Sequence, residues 1–256
     1  PYQIEERRLA RAEGGEPLRH GRNLDYPIEA LAKFKVVFDI KTRGVSLRTI
    51  GFPGYIGVLT GMSSRGLSLS SHTSAVKRHG VGIPSGVLYR QVLEESEDLD
   101  GMVAALRAAP RTIGNNLALG DARRGAALAV ELSAASLATR APAAGRLFVT
   151  NHYQTAALQA EQDARLYAAG SGSTARVRCL SASLGPQALA RAPRAVDLQR
   201  ALSEEPPSGT RGWRTPANAG TVQSVVMEPV SGRLFLATGL RPPVTRGGYR
   251  ELAPAW

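Results

Sequence analysis

Arg22, Asn23, Asp25 and Tyr26 lie close together inside the stretch HGRNLDYP, which runs from His20 to Pro27. An arginine, an asparagine, an aspartate and a tyrosine set this close together suit the rim of a catalytic pocket. The same residues also suit a surface loop with an exposed ion pair, a contact worth roughly 0–1 kcal/mol. The cluster sits between a glycine turn, Gly14-Gly15, and an apolar connection over residues 28–38. That setting fits the rim of a pocket, and the rest of the chain decides between the two readings.

Other familiar chemistries are missing. The histidines His20, His72, His79 and His152 show no HxxxH or HxH spacing, so no zinc site is expected. Cys179 is the single cysteine, which excludes an intrachain disulfide and a cysteine-based metal site. It stands where an ordinary apolar residue would, and a lone free cysteine reads as a small core residue rather than a nucleophile. There is no GxGxxG, no Walker loop and no GxSxG elbow, so neither a nucleotide cofactor nor an α/β-hydrolase is indicated. No cofactor is expected.

The net charge is +11, and its arginines are scattered rather than gathered in one block. With aromatic residues at 5%, no stacking platform for nucleic acid is expected. A membrane surface fits the charge but has no dedicated segment. No run of about 18 apolar residues is present and no signal peptide opens the chain. The oligomeric state is left open.

The elements that must position the cluster follow from periodicity. Residues 2–12 read as a frayed first strand or a short helix. Strands are expected at 34–40 and 45–50, then a glycine-punctuated hairpin over 52–71 with a turn at Ser64-Arg65-Gly66. The period then changes, and helices are expected at 84–95 and 99–109. A hairpin follows, 115–121 with 126–132, then a short strand at 147–150. Residues 156–166 read as an irregular lid, 171–193 as turns with a helical piece, and 196–202 as a helix. A loop spans 206–219, a hairpin joins 221–229 to 233–239, and the tail reads as irregular. Strands, then helices, then strands suit an α+β fold of antiparallel sheets. No repeat or linker divides the 256 residues, so one domain, 1–256, is expected.

Five segments in order resemble the linear amide C–N hydrolases of the N-terminal nucleophile superfamily. That group includes acid ceramidase, N-acylethanolamine acid amidase, the choloylglycine hydrolases and the isopenicillin N acyltransferase-like proteins. The segments are HGRNLDYP (20–27), GYIGVLTGMSSRGLSLS (54–70), NNLALGDARRGAALAVEL (115–132), VTNHY (149–153) and TVQSVVMEPVSGRLFLATG (221–239). The resemblance implies a four-layer αββα sandwich of two antiparallel sheets. It implies a small-molecule N-acyl amide substrate, cleaved or transferred through an acyl-enzyme formed on an N-terminal cysteine. Arg22 would stabilise the thiolate, Asp25 would orient the free amine, and Asn151 would donate to the oxyanion. Arg176 would match a second arginine near the site. For substrate contact the candidates are Tyr26, Tyr55, Met62 and His152, with packing as the competing role of each.

The chain departs from the resemblance at its most important residue. Counting back from Arg22, the nucleophile position falls on Glu5 or Glu6, in the run EERR, and a glutamate cannot do this chemistry. Three explanations stand: the nucleophile was lost, the first eight residues are not native sequence, or the nucleophile lies upstream of Pro1. The first leaves an inactive relative that binds rather than cleaves.

Overall fold

The computed structural model describes residues 18–42, 44–165, 172–207 and 214–256. The readings of residues 2–12 and of the Gly14-Gly15 turn lie outside them.

Two antiparallel sheets form the centre. The larger has seven strands in the order β2 (Val36–Thr42), β3 (Val45–Gly51), β4 (Thr60–Ser63), β5 (Leu67–Thr73), β6 (Asn115–Asp121), β7 (Ala126–Leu132) and β8 (Leu137–Arg140). Each strand pairs with its neighbour in sequence, so the sheet is a meander. The smaller has four strands in the order β1 (His20–Asp25), β9 (Thr221–Glu228), β10 (Arg233–Ala237) and β11 (Tyr249–Leu252).

Period-two alternation decides which face each residue serves. On the seven-stranded sheet, Val45, Leu47, Leu67, Leu69, Leu117, Leu119, Val130 and Leu132 form one apolar face. Against it lie α1 (Ser85–Glu95) and α2 (Leu99–Ala108), through Leu88, Tyr89, Val92, Leu93, Met102 and Leu106. The N-terminus of α2 is capped by Asp98, whose carboxylate accepts from the Gly101 N–H at 2.9 Å. The opposite face meets the smaller sheet through Ile50, Met62, Val225, Met227 and Leu234. Outside the smaller sheet, helix residues 195–202 cover β1, with Leu198 and Leu202 against Gly21. The layers are therefore helix, sheet, sheet, helix, and the αββα expectation holds.

Several boundaries differ from expectation. The polar stretch 20–25 is strand β1, not a rim loop, because its alternate residues are buried against the other sheet. Phe34 follows a 3-10 turn over 29–33 instead of opening β2. Residues 147–150 form no strand, although their pattern is apolar. Strand β8 was missed as well as β1, and the tail, read as irregular, supplies β11. Among the described residues the remaining α-helices are α3 (Ala156–Gln159), α4 (Ser173–Leu184) and α5 (Ala195–Leu202).

Candidate active site

β1 delivers the first half of the site. Its register sets His20 across from Met227 and Arg22 across from Val225, so both side chains point between the sheets. Arg22 spans the gap. Its Nη1 donates to Thr60 Oγ1 at 2.7 Å and its Nη2 to the Ser71 carbonyl at 2.8 Å. Only 4% of the residue is exposed. Burial lowers the guanidinium pKa to about 10, opposed by Asp25 and Tyr55. Its Nε is buried with no partner among the described residues.

Asp25 follows a shift in the β1–β9 register. Its carboxylate accepts from Asn218 Nδ2 at 2.8 Å and from Thr221 Oγ1 at 2.7 Å. Burial raises its pKa, while those two bonds and the charges of Arg176 and Arg22 pull the other way. Both arginines therefore act on one carboxylate.

The second half sits on an unusual part of the seven-stranded sheet. His72, Asn116 and Glu131 are direct neighbours across β5, β6 and β7. Polar groups in such a row require partners once buried. A strap over residues 150–155 supplies them. Asn116 Nδ2 donates to the carbonyls of Thr150 and His152, each at 2.8 Å. The Glu131 carboxylate, almost fully buried, accepts from the N–H groups of Gln154 and Thr155 and from Thr155 Oγ1. Helix α4 closes over the strap. Ser173 Oγ accepts from the Asn151 N–H at 2.8 Å, and Arg176 Nη2 donates to Asn151 Oδ1 at 2.6 Å. Asn151 Nδ2 donates to the Thr73 carbonyl at 2.9 Å.

Arg22, Asp25, Arg176 and Asn151 are thus drawn to one place, two from the small sheet and two from the strap and α4. Tyr55 and Tyr26 stand beside them; burial and then Tyr26 raise the Tyr55 pKa, and Arg22 opposes them. The two tyrosines are 37% and 41% exposed, which suits the mouth of a site. Met62 does not share this position. It has no exposed surface and packs between the sheets with Ile50, Val225 and Met227, so it cannot meet a substrate. His152 is half-buried, its Nδ1 2.8 Å from Ser173 Oγ. It borders a cavity of about 360 Å³ with Tyr153, Gln159, Gln162, Ala164 and Thr174.

His72 belongs beside the site. Its Nε2 lies 3.2 Å from Ser70 Oγ, which also meets His20 Nε2 at 2.8 Å. Burial, then the charges of Arg22, His20 and Arg176, hold the His72 pKa well below the usual range. His20 is lowered to about 4 by burial and by Arg22, so both imidazoles stay neutral at physiological pH. Cys179 lies on α4 with its Sγ 3.8 Å from the Arg214 carbonyl, and burial raises its pKa. An activated thiol needs the opposite shift. The Glu5 and Glu6 positions lie outside the described residues. Thr60, Asn116, Glu131 and Ser173 were missed by sequence reasoning. For Thr60, Asn116 and Glu131 the only signal was polarity at strand positions that turn inward, and Ser173, at the start of α4, had none.

One contact at the mouth gives a direct test. The Tyr55 hydroxyl rests on Gly86, where an added Cβ would come within 1.9 Å of it. Gly86→Ala is expected to drive Tyr55 outward and to cost about 1–3 kcal/mol by overpacking. Urea denaturation and tyrosine accessibility measure both effects; an unmoved Tyr55 at full stability contradicts the packing described.

Solved structures share this architecture. A Caenorhabditis elegans N-acylethanolamine-hydrolyzing acid amidase ortholog matches with TM-score 0.61 and 19% identity, over 85% of this chain and 90% of that one. Penicillin V acylase from Agrobacterium tumefaciens matches with TM-score 0.54 and 16% identity, over 91% and 82%. A mutant conjugated bile acid hydrolase from Clostridium perfringens matches with TM-score 0.50 and 16% identity, over 85% and 84%. The fold is that of the N-terminal nucleophile hydrolases, in their linear amide C–N hydrolase group. A family model described as acyl-coenzyme A:6-aminopenicillanic acid acyl-transferase matches residues 11–240, and the chain belongs to that family. No curated protein matches it.

Proposed function

We propose that this single-domain protein cleaves or transfers the acyl group of a linear N-acyl amide through an acyl-enzyme. The observation that supports the reading best is the pairing of two halves: Arg22 and Arg176 both act on Asp25, and Arg176 also holds Asn151. A guanidinium at Arg22 lowers the pKa of an incoming thiol or steadies an anion. Asp25 orients the amine that serves as base. Asn151 retains a second amide proton for the oxyanion, since an amide nitrogen carries two and Thr73 takes one. Arg176 fixes which end of Asn151 is the donor. Tyr26 and Tyr55 line the mouth where the acyl chain enters.

The test is turnover of a chromogenic N-acyl amide, followed by intact mass for an acyl adduct and sequencing of the native N-terminus. Turnover with an adduct on an N-terminal residue supports the enzyme. Neither turnover nor adduct, with EERR present in the native protein, supports the second reading. The glutamates at the nucleophile position favour that reading specifically: an inactive relative that binds its ligand in the same pocket.

Asp25 sets the acid limb. Its pKa is raised, so its carboxylate forms later than an ordinary aspartate's, near 3.9, as pH rises. The acid limb of kcat/KM is expected above that value, and Asp25→Asn should remove it together with most activity. The sign for stability is the reverse. A group whose folded pKa exceeds its unfolded one contributes fully below the unfolded pKa, and that contribution is lost as pH rises through the folded pKa. An acid limb in the ordinary carboxylate range rejects this role for Asp25.

A further inference from the structure

We propose that Asn116 and Ser173 are the positioning residues that aim the Asn151 side chain at the site. The inference rests on the acyl-transfer reading for its catalytic consequence, though not for its structural one. An asparagine χ2 is broad, so an unsupported amide samples many directions. Here the backbone on both sides of Asn151 is held. Asn116 Nδ2 takes the carbonyl before it and the carbonyl after it, each at 2.8 Å. Ser173 Oγ takes its N–H at 2.8 Å. Those three anchors restrain the backbone on both sides of Asn151. Arg176, on the helix that opens with Ser173, then claims Oδ1 and leaves Nδ2 as the donor end.

Two further observations separate this arrangement from ordinary loop packing. Asn116 is 1% exposed, and its Oδ1 is buried without a partner among the described residues. A buried acceptor left unmet costs free energy, so its amide is spent on the two strap carbonyls at the expense of its own satisfaction. Ser173 is also 1% exposed, and its hydroxyl has a single proton, given to Thr150 Oγ1 at 2.8 Å. It accepts from the Asn151 N–H and meets His152 Nδ1 at 2.8 Å. One oxygen thereby orders three consecutive strap residues.

Two variants test it by removing different bonds to the same residue. In Ser173→Ala the anchor of the Asn151 N–H is lost; in Asn116→Leu both carbonyl anchors are lost at nearly constant volume. The Asn151 side-chain amide pair is assigned in the ¹⁵N spectrum by its absence in Asn151→Asp. In each variant that pair should broaden and exchange its protons at least ~10-fold faster, because local opening becomes cheaper. On a turned-over N-acyl amide, kcat should fall about 10–100-fold with KM within twofold, as expected for a displaced catalytic group. An Asn151 pair with unchanged line width and exchange in either variant overturns the inference. If the wild type turns nothing over while the pair still loosens, the positioning stands and the acyl-transfer reading fails.

Discussion

Replacing Arg22 with methionine should remove most turnover and leave the protein folded. The two effects separate because the residue's structural and electrostatic contributions oppose each other. Arg22 gives up hydrogen bonds to Thr60 Oγ1 and the Ser71 carbonyl when removed. At roughly 1 kcal/mol each, with some penalty for the orphaned carbonyl, these losses destabilise. Yet the guanidinium is 4% exposed, and burial has already weakened its hold on the proton, lowering its pKa to about 10. Taking such a desolvated charge out of the interior recovers free energy. Methionine fills much of the channel between the sheets with flexible apolar atoms. The net change in stability should stay within about 2 kcal/mol. Activity has no such offset. A cation near an acid lowers its pKa by about 1–3 units, so its loss reduces the reactive anion about 10- to 1000-fold at fixed pH. Arg22→Lys should fall between, since an ammonium keeps the charge but not the planar two-nitrogen fork. Paired urea melts and kcat/KM values decide: activity within twofold of wild type removes Arg22 from the chemistry.

The legibility of this fold in its sequence varied with how each element satisfies its backbone. The hairpin over 115–132 was readable to the residue, because alternation is clean and the turn at 121–125 ends in a glycine with φ of 64°. Helices α1 and α2 were readable to within a residue because their apolar spacing changes period abruptly and Asp98 caps the second. Residues 147–150 misled for a physical reason. Their side chains are patterned like a strand, but the Thr150 carbonyl bonds to the Asn116 side chain and not to a neighbouring strand. Periodicity reports burial and is silent on what the backbone bonds to. β8, reading LATR, is too short and mixed to show alternation. The site followed the same division. Arg22 and Asp25 stood out as a local polar cluster, whereas Asn151 and Arg176 were named only through resemblance to a family, since nothing in local pattern links residues so far apart in sequence. Asn116 and Glu131 lie on the face of β6 and β7 opposite the leucines, and their partner strap only becomes apparent once β5, β6 and β7 set them in a row.

That row makes Glu131 the residue whose loss should be felt most widely. Its carboxylate lies 1% exposed on β7 and gathers the Gln154 N–H, the Thr155 N–H and the Thr155 hydroxyl, with Arg140 Nε 3.7 Å away. Three donors converge on two oxygens, and no other described group is bonded to those backbone N–H groups. Glu131→Ala therefore strands two buried amide donors, each costing about 1–3 kcal/mol, and leaves the nearby arginine without its counter-charge. A total loss of about 3–5 kcal/mol is expected, which for a chain of this size lowers Tm by roughly 6–20 °C. Glu131→Gln should be milder, since one oxygen still accepts from Thr155, but its amide turns a donor toward the Gln154 N–H. The strap also carries Asn151, so both variants should lose turnover beyond what their unfolded fraction explains at a temperature where each is still folded. The discriminating measurement is kcat well below the melting transition. If Glu131→Ala melts early but turns over normally at low temperature, the strap holds the fold without holding Asn151. If it melts where the wild type does, then the carboxylate does not carry the strap, and the path from sheet to strap to Asn151 described here is wrong at its first link.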